Sequence, residues 1–242
     1  MTIEIIPISG VPEVVPGNDL GALLLDAAQG ALRARDVLVV TQKIVSKAEG
    51  RIVPAADKES ALQSESARIL RRQGSMIISE TSHGLVCANA GIDASNVVGD
   101  NISLLPVDPD ASARRLRSRI QHLAGIEVAV IVSDTFGRAW RLGQTDVAIG
   151  VAGIEPFVDY RGRSDAEGRP LSATRIAIAD ELAGAAEMVM GKVDGICAAI
   201  VRGAPVRWGR GAATDIVRSP GPRRTRARRR AVSSASENGL VR

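Results

Sequence analysis

The sequence has few aromatic side chains, few cysteines and no long apolar run, and each shortage disfavours a class of protein. Aromatic residues make up only 2% of the 242 residues, which disfavours proteins that bind nucleic acid by stacking bases on aromatic rings. Cys87 and Cys197 are far apart and form no CxxC pair, so we expect neither a disulfide framework nor a zinc site. No apolar run approaches the roughly eighteen residues that a membrane-spanning helix needs. We therefore expect a cytoplasmic protein without a membrane segment.

Positive charge is concentrated at the C-terminal end. The net charge is +4, and residues 219–242 contain seven arginines but only one acid, Glu237. The remainder of the chain has slightly more acidic than basic side chains. Because the arginine-rich segment has no apolar periodicity, we predict a folded domain over residues 1–218 and a disordered tail over residues 219–242. Nucleic-acid binding is not favoured, since the charge of the predicted domain is balanced.

Patterns typical of strands alternate with patterns typical of helices, which predicts a mixed α/β fold. Asp108 and Pro109 have the order expected of an N-cap and a first helical residue, and Leu116, Ile120 and Leu123 would then face inward. The predicted helices cover residues 20–35, 57–72, 109–123 and 176–190, and the predicted strands cover residues 36–41, 75–79, 128–132 and 196–201.

Three common signatures of nucleotide and acyl chemistry are missing from the chain. There is no GxxxxGK[ST] and no GxGxxG after a predicted strand, so neither the P-loop nor the dinucleotide fingerprint would explain nucleotide binding. There is also no GxSxG, the signature of many serine hydrolases. Any nucleotide site must therefore be built in another way.

Two aspartates are candidate metal ligands. Asp134 ends an apolar run and is followed by Thr135 and Gly137, and Asp93 lies in a separate polar cluster upstream. Hard cations such as Mg²⁺ and Mn²⁺ take carboxylate oxygens and complete their coordination with phosphate and water. Thr135 is a candidate ligand of a second ion. The alternative is that Asp93 opens a turn and Asp134 caps a helix, two ordinary positions for aspartate.

Basic residues near these positions are candidate phosphate ligands. Lys47 follows the predicted strand at residues 36–41, and ligand loops of α/β proteins commonly follow strands. Arg138 and Arg141, on either side of Trp140, are suited to clamp a phosphate or a carboxylate. The alternatives are a solvated lysine and ordinary salt bridges.

Six segments, taken together and in order, resemble the coenzyme F420:L-glutamate ligases, a family that includes the N-terminal domain of an actinobacterial two-domain protein. The resemblance extends from about residue 3 to residue 203. Its segments are residues 7–12, 39–50, 90–97, 133–146, 179–181 and 190–192.

The resemblance implies a fold of two intertwined α/β lobes that pairs into a homodimer. It also implies a ligase that uses GTP and Mg²⁺ or Mn²⁺ to add L-glutamate to a deazaflavin acceptor, F420-0, through an acyl phosphate, and then to extend a γ-glutamyl tail. Two ions per site are implied, with K⁺ as a further candidate. The implied metal ligands are Asp93 and Asp134 for one ion and Thr135 for a second. The implied nucleotide-site residues are Val11, Pro12, Glu13, Val14, Gln42, Lys47, Asn96, Met190, Gly191 and Lys192.

The chain departs from the family pattern in two places. Lys192 stands where archaeal members of the family have a glutamine beside the second metal, and a lysine there would replace or exclude that ion. The resemblance also fades after residue 203, where the two-domain form would continue into a flavin-binding domain. Two alternatives therefore stay open: a catalytically impaired, dimerising remnant of a two-domain protein, and a related ligase with another acceptor.

Overall fold

A five-stranded sheet forms the centre of the protein, for which the computed structural model describes residues 2–218. The elements in chain order are β1 (Glu4–Ile8), α1 (Leu20–Ala28), β2 (Val37–Thr41), α2 (Gln42–Ala48), β3 (Ile52–Pro54), α3 (Lys58–Glu65), β4 (Ser66–Gln73), β5 (Met76–Thr81), β6 (Val86–Ala88), β7 (Asn101–Ser103), α4 (Pro109–Ala124), β8 (Ala129–Arg138), β9 (Arg141–Ala152), β10 (Val158–Asp159), β11 (Arg175–Ile176), α5 (Ile178–Met190) and β12 (Ala198–Arg202). Short 3-10 helices lie at Ala55–Asp57, Asn89–Gly91 and Ala213–Asp215. The mixed α/β class predicted from the sequence is confirmed.

The central sheet has the strand order β1-β12-β2-β8-β9 and is covered on both faces. β2 and β8 run parallel, and the other neighbouring strands are antiparallel. Leu38 and Val40 of β2 pack with α1 and α4, whereas Val37 and Val39 pack with α5 on the opposite face. Because both faces are buried, β2 is a continuous apolar run rather than an alternating one.

A glycine in β9 allows helix α4 to lie directly against the sheet. Gly150 pairs with Val132 of β8, and a Cβ at Gly150 would lie 2.3 Å from the carbonyl oxygen of Pro109, the first residue of α4. No side chain fits at that distance. The helix begins as predicted, with the Asp108 side chain accepting a hydrogen bond from the Ala111 amide.

A second, smaller part of the fold is inserted between α2 and α4. It contains α3, a three-stranded sheet in the order β4-β5-β6, and a two-stranded sheet of β3 with β7. The Asp93 amide donates a hydrogen bond to the Ser103 carbonyl of β7 at 3.1 Å, and the Ser103 amide donates to the Asp93 carbonyl at 2.7 Å. The insertion therefore holds Asp93 at a fixed position beside the central sheet.

Two predicted helices are too long. The helix predicted over residues 20–35 ends at Ala28, because Gln29 and Gly30 both adopt positive φ, which turns the chain. The helix predicted over residues 57–72 ends at Glu65, and the residues that follow form strand β4 paired with β5. Leu116 and Ile120 of α4 are buried as predicted, but Leu123 is 43% exposed.

The other predicted helices and strands agree with the structure to within a few residues, except that β8 is much longer than predicted. Several elements, among them α2 and β9, were not predicted. No helix within residues 2–218 is both long and apolar enough to cross a membrane. The tail predicted over residues 219–242 lies outside the described residues.

Candidate active site

A cavity of about 990 Å³ opens where the parallel strands β2 and β8 reach their carboxyl ends, beside the inserted part of the fold. Ligand sites of open α/β sheets commonly lie at this edge. The cavity is lined by nearly all the residues predicted from the sequence, namely Val11, Pro12, Glu13, Val14, Gln42, Lys47, Asp93, Asn96, Asp134, Thr135, Gly191 and Lys192. Met190 differs from this set, because it is 1% exposed and packs in the core beneath α5.

Helix α2 directs two ammonium groups into the cavity. Lys43 and Lys47 are four residues apart and therefore lie on the same face of the helix. The Lys43 Nζ donates to Asp93 Oδ2 and to Ser95 Oγ, both at 2.8 Å. The Lys47 Nζ donates to Glu13 Oε1 at 2.5 Å. Two lysines on one side of a cavity are suited to bind a polyanion such as a triphosphate.

Asp93 is a turn residue as well as a cavity residue. Its Oδ1 accepts a hydrogen bond from the Ser95 amide at 2.8 Å, which is the turn geometry offered as the alternative to metal binding. Burial raises the pKa of Asp93, but the hydrogen bonds from Lys43 and Ser95 outweigh burial and the net pKa is lowered. Asp93 is therefore ionised at neutral pH, and its carboxylate retains acceptor capacity for a further ligand.

Asp134 lies within strand β8, not on a loop after it and not at a helix N-cap. The helix-cap alternative for Asp134 is therefore wrong: β8 continues to Arg138 because it pairs with β9 beyond a bulge after Val132. Burial raises the pKa of Asp134 to about 7, and the negative charges of Asp146 and Asp93 add to the effect. Among residues 2–218, no lysine or arginine forms an ion pair with it.

Asp146 on β9 anchors a hydrogen-bonded cluster beside Asp134. It is 2% exposed; its Oδ2 accepts from Ser133 Oγ at 2.8 Å and its Oδ1 from Thr135 Oγ1 at 2.6 Å. The Lys192 Nζ lies 3.2 Å from Asp146 Oδ1 and 2.5 Å from Thr135 Oγ1. The Thr135 hydroxyl is thus held between a carboxylate and an ammonium group.

Gln42 supplies a buried polar atom that lacks a partner in the described part of the chain. Its side chain is 1% exposed, and its Oε1 accepts from Ser46 Oγ at 2.8 Å, while its Nε2 makes no hydrogen bond. A buried amide donor without a partner is costly, and it is commonly satisfied by a ligand or by water. Gln42 is therefore placed to contact a ligand in the cavity.

Two cavity residues are not suited to nucleophilic chemistry. Burial raises the pKa of the Cys87 thiol to about 12, and the charge of Asp134 adds to this effect. Burial also raises the pKa of the Cys197 thiol. Since the thiolate is the reactive form, neither cysteine is activated at neutral pH.

Comparison with known proteins identifies the family of this chain. Residues 10–203 match the sequence profile of the family described as F420-0:Gamma-glutamyl ligase. A coenzyme F420:L-glutamate ligase of Methanothermobacter thermautotrophicus is 42% identical in an alignment of 232 positions that covers 86% of this chain and 91% of the relative. The protein of the same name from Methanopyrus kandleri is 38% identical, over 93% of this chain and 94% of the relative. The chain belongs to the F420-0:gamma-glutamyl ligase family.

The family resemblance implies a divalent ion, so the next point is whether the cavity residues are suited to hold one. Within residues 2–218, no three His, Cys, Asp or Glu side chains are grouped to hold a metal by themselves. Mg²⁺, however, is usually held by one or two carboxylates together with phosphate oxygens and water. Asp134, which has a raised pKa and no ion pair within the described ranges of the chain, has the donor chemistry for such an ion. The residues therefore fit a divalent ion that is shared with a bound phosphate.

Sequence reasoning missed Lys43 and Asp146, which line the cavity, and included Met190, Arg138 and Arg141, which do not. Lys43 was detectable, because it precedes Lys47 by one helical turn. Asp146 was not, because it reaches the cavity only through the pairing of β8 with β9, which places it opposite Thr135. Arg138 and Arg141 do not line the cavity, since they lie at the outer end of this hairpin.

Proposed function

We propose that this protein is a GTP- and divalent-metal-dependent ligase that adds L-glutamate to F420-0 and extends a γ-glutamyl tail. The relatives named above are coenzyme F420:L-glutamate ligases, and they align with most of the chain. The observation that carries the proposal is the Asp134 carboxylate, which lines the same cavity as the two lysines of α2 and has no ion pair among residues 2–218. The preference for GTP over ATP follows from the family resemblance.

Amide formation from a carboxylate needs a better leaving group than oxide. In the proposed reaction an oxygen of the acceptor carboxylate attacks the γ-phosphorus of GTP, and GDP leaves. The glutamate amine then attacks the acyl carbon of the resulting acyl phosphate. An amide forms, and inorganic phosphate leaves with one oxygen from the former carboxylate. Water is sufficient to take the amine proton, so the scheme needs no dedicated base.

The side chains of the cavity would contribute mainly charge and position to this reaction. Lys47, which is 11% exposed at its side chain, would bind phosphate oxygens as a compact positive charge. Gln42 Nε2, which lacks a protein partner in the described chain, would donate to the nucleotide. Asp134 and Asp93 would hold a divalent ion, which when bound neutralises charge on the transferred phosphoryl group.

Two further features belong to the proposal. We expect a homodimer, as the family resemblance implies, and the fully exposed Trp140 at the β8–β9 turn is consistent with a partner surface. We also expect a cytoplasmic location, because Cys87 and Cys197 are both free thiols. A molar mass from light scattering tests the homodimer directly.

The test is to incubate the purified protein with F420-0, L-glutamate, GTP and Mn²⁺ and to look for glutamyl additions by mass spectrometry. Parallel reactions replace GTP with ATP, replace F420-0 with another carboxylate acceptor, or contain EDTA. Additions to F420-0 only with GTP and metal would support the proposal. Additions only to another acceptor would indicate a related ligase, and no addition to any acceptor would indicate an impaired enzyme.

Isotope transfer tests the acyl phosphate separately. The acceptor carboxylate of F420-0 is labelled with ¹⁸O, and the released inorganic phosphate is analysed by mass spectrometry. The proposed route transfers one labelled oxygen to phosphate for each amide formed. Unlabelled phosphate, released together with the amide product, would rule out this route while leaving the ligase activity intact.

A further inference from the structure

Four carboxylates line the cavity, and among the described residues a lysine pairs with three of them; Glu13 is paired with Lys47 at 2.5 Å. Asp93 is paired with Lys43 at 2.8 Å, and Asp146 is paired with Lys192 at 3.2 Å. Asp134 has no such partner in the described part of the chain. The cluster therefore retains one uncompensated carboxylate, which is the charge that a single phosphate-bound divalent ion would meet.

The Lys192 side chain is 52% exposed, but its ammonium group is held by several contacts. Its Nζ donates to Thr135 Oγ1 and Asp146 Oδ1, and Glu187 Oε1 lies 3.6 Å away. Two of the three N–H donors of the ammonium are therefore hydrogen-bonded, and the Glu187 carboxylate adds an ion pair. The Lys192 carbonyl in turn accepts a hydrogen bond from Asn96 Nδ2 at 3.3 Å. The segment after α5 thus fixes a positive charge beside Thr135.

Asp146 requires a positive charge at this position. Its side chain is 2% exposed, and a buried carboxylate without a counter-charge is strongly unfavourable. The hydroxyl groups of Ser133 and Thr135 each donate one hydrogen bond to it, and Lys192 supplies the neutralising charge. Without Lys192, another cation would have to fill this role.

We propose that the Lys192 ammonium is a built-in cation of the active site, so that this chain binds its nucleotide with one divalent ion rather than two. Coordination by Thr135 Oγ1 would place a second ion about 2.1 Å from an oxygen that already accepts a hydrogen bond from the ammonium. Two positive charges would then lie side by side, and their repulsion excludes the ion. Thr135 is accordingly a partner of Lys192, not a metal ligand. This inference rests on the proposed function.

The number of bound ions tests the inference without an activity assay. The protein is saturated with a non-hydrolysable GTP analogue and Mn²⁺, free solutes are separated by ultrafiltration, and bound Mn²⁺ and nucleotide are both measured. The wild type is expected to bind one Mn²⁺ per nucleotide. Lys192→Arg keeps the charge and should also bind one, whereas Lys192→Gln should bind two. Lys58→Gln, at an exposed lysine outside the cavity, is the matched control and should bind one.

Each other result is decisive. Two ions in the wild type, or one ion in a Lys192→Gln variant that still binds nucleotide, would overturn the inference and leave the proposed ligase function standing. Absence of metal-dependent nucleotide binding in the wild type would overturn the proposed function as well. Circular dichroism and thermal unfolding establish that the variants are folded, so that a changed number of bound ions is not mistaken for an effect of unfolding.

Discussion

Two carboxylates beside the central sheet, Asp110 and Asp134, are bound by the protein in opposite ways. Asp110, in the first turn of α4, is 5% exposed and accepts hydrogen bonds from three backbone amides: Val151 at 2.8 Å, Ala213 at 2.7 Å and Thr214 at 3.3 Å. Asp134 faces the cavity, has no ion pair among residues 2–218, and has a pKa raised to about 7. One carboxylate is satisfied by the fold and the other is not.

The comparison separates a carboxylate whose partners are supplied by the fold from one that we propose binds a ligand. Backbone amides solvate Asp110 fully, so that it ties the sheet and the segment near Ala213 to the start of α4. Asp134 is destabilising in the ligand-free protein, because burial and two neighbouring carboxylates disfavour its charge. Such a cost is expected at a binding site, where a ligand supplies the missing partner.

The largest effect that we expect from either carboxylate is the effect of Asp134→Asn on catalysis. Asp134→Asn keeps the size of the side chain but removes its charge, so a divalent ion loses its main carboxylate ligand. We expect turnover to fall about 1000-fold, which corresponds to ~4 kcal/mol in the activation barrier. Glutamyl addition to F420-0 measures the loss, and titration with GTP in the presence and absence of Mn²⁺ shows whether metal-dependent binding is lost with it.

Asp26→Asn is the matched control for this variant, because Asp26 is an exposed residue of α1 that does not line the cavity. Its turnover should equal that of the wild type. If Asp134→Asn bound GTP with an unchanged dependence on Mn²⁺, the assignment of Asp134 as a metal ligand would be wrong.

The second effect is on stability and concerns the other carboxylate. Asp110→Ala leaves the amides of Val151 and Ala213 buried without their acceptor, and it removes the acceptor of the more exposed Thr214 amide. Loss of charged hydrogen bonds at a buried site should lower the free energy of unfolding by about 3 kcal/mol. Urea denaturation measures the change. The folded fraction should still bind GTP with metal, since Asp110 does not line the cavity.

Asp26→Ala serves as the control for this measurement, because it deletes the same atoms from an exposed position. It should change the free energy of unfolding by less than about 0.5 kcal/mol. An equal and small effect of Asp110→Ala and Asp26→Ala would show that the amide contacts of Asp110 contribute little to the fold.

The sequence predicts the local features of this protein better than the non-local ones. The N-cap at Asp108 and the helix stop at Gly191 are encoded within a few residues, and both agree with the structure. Strand β4 was predicted as helix, because its pairing with β5 decides its conformation and the local pattern does not. The early end of α1 depends on positive φ at Gln29, a residue that does not signal a turn.

The same division applies to the candidate site. Asp93, Lys47 and Asp134 were identified because they belong to contiguous motifs, and all three line the cavity. The importance of Asp146 and the engagement of Thr135 with Lys192 depend on the register of β8 with β9 and on a contact between residues 57 positions apart. Periodicity and spacing contain no information about such contacts, so they required the folded structure.

The smallest of the three effects is on the pH dependence of stability, and it tests whether the Asp134 carboxylate destabilises the ligand-free protein. Its folded-state pKa, about 7, is above its ordinary value of 3.8, so the folded protein holds a proton that the unfolded chain has released between these values. The wild type should therefore lose stability as the pH rises through this window, whereas Asp134→Asn should not. In EDTA, we expect the variant to become the more stable of the two by about 2 kcal/mol above pH ~7, a value reduced because the side chain is partly exposed.

Urea denaturation across the pH range measures the difference, with Asp26→Asn as the control. A difference that does not grow with pH would mean that Asp134 is solvated by the protein as well as Asp110 is, and the contrast between the two carboxylates would disappear.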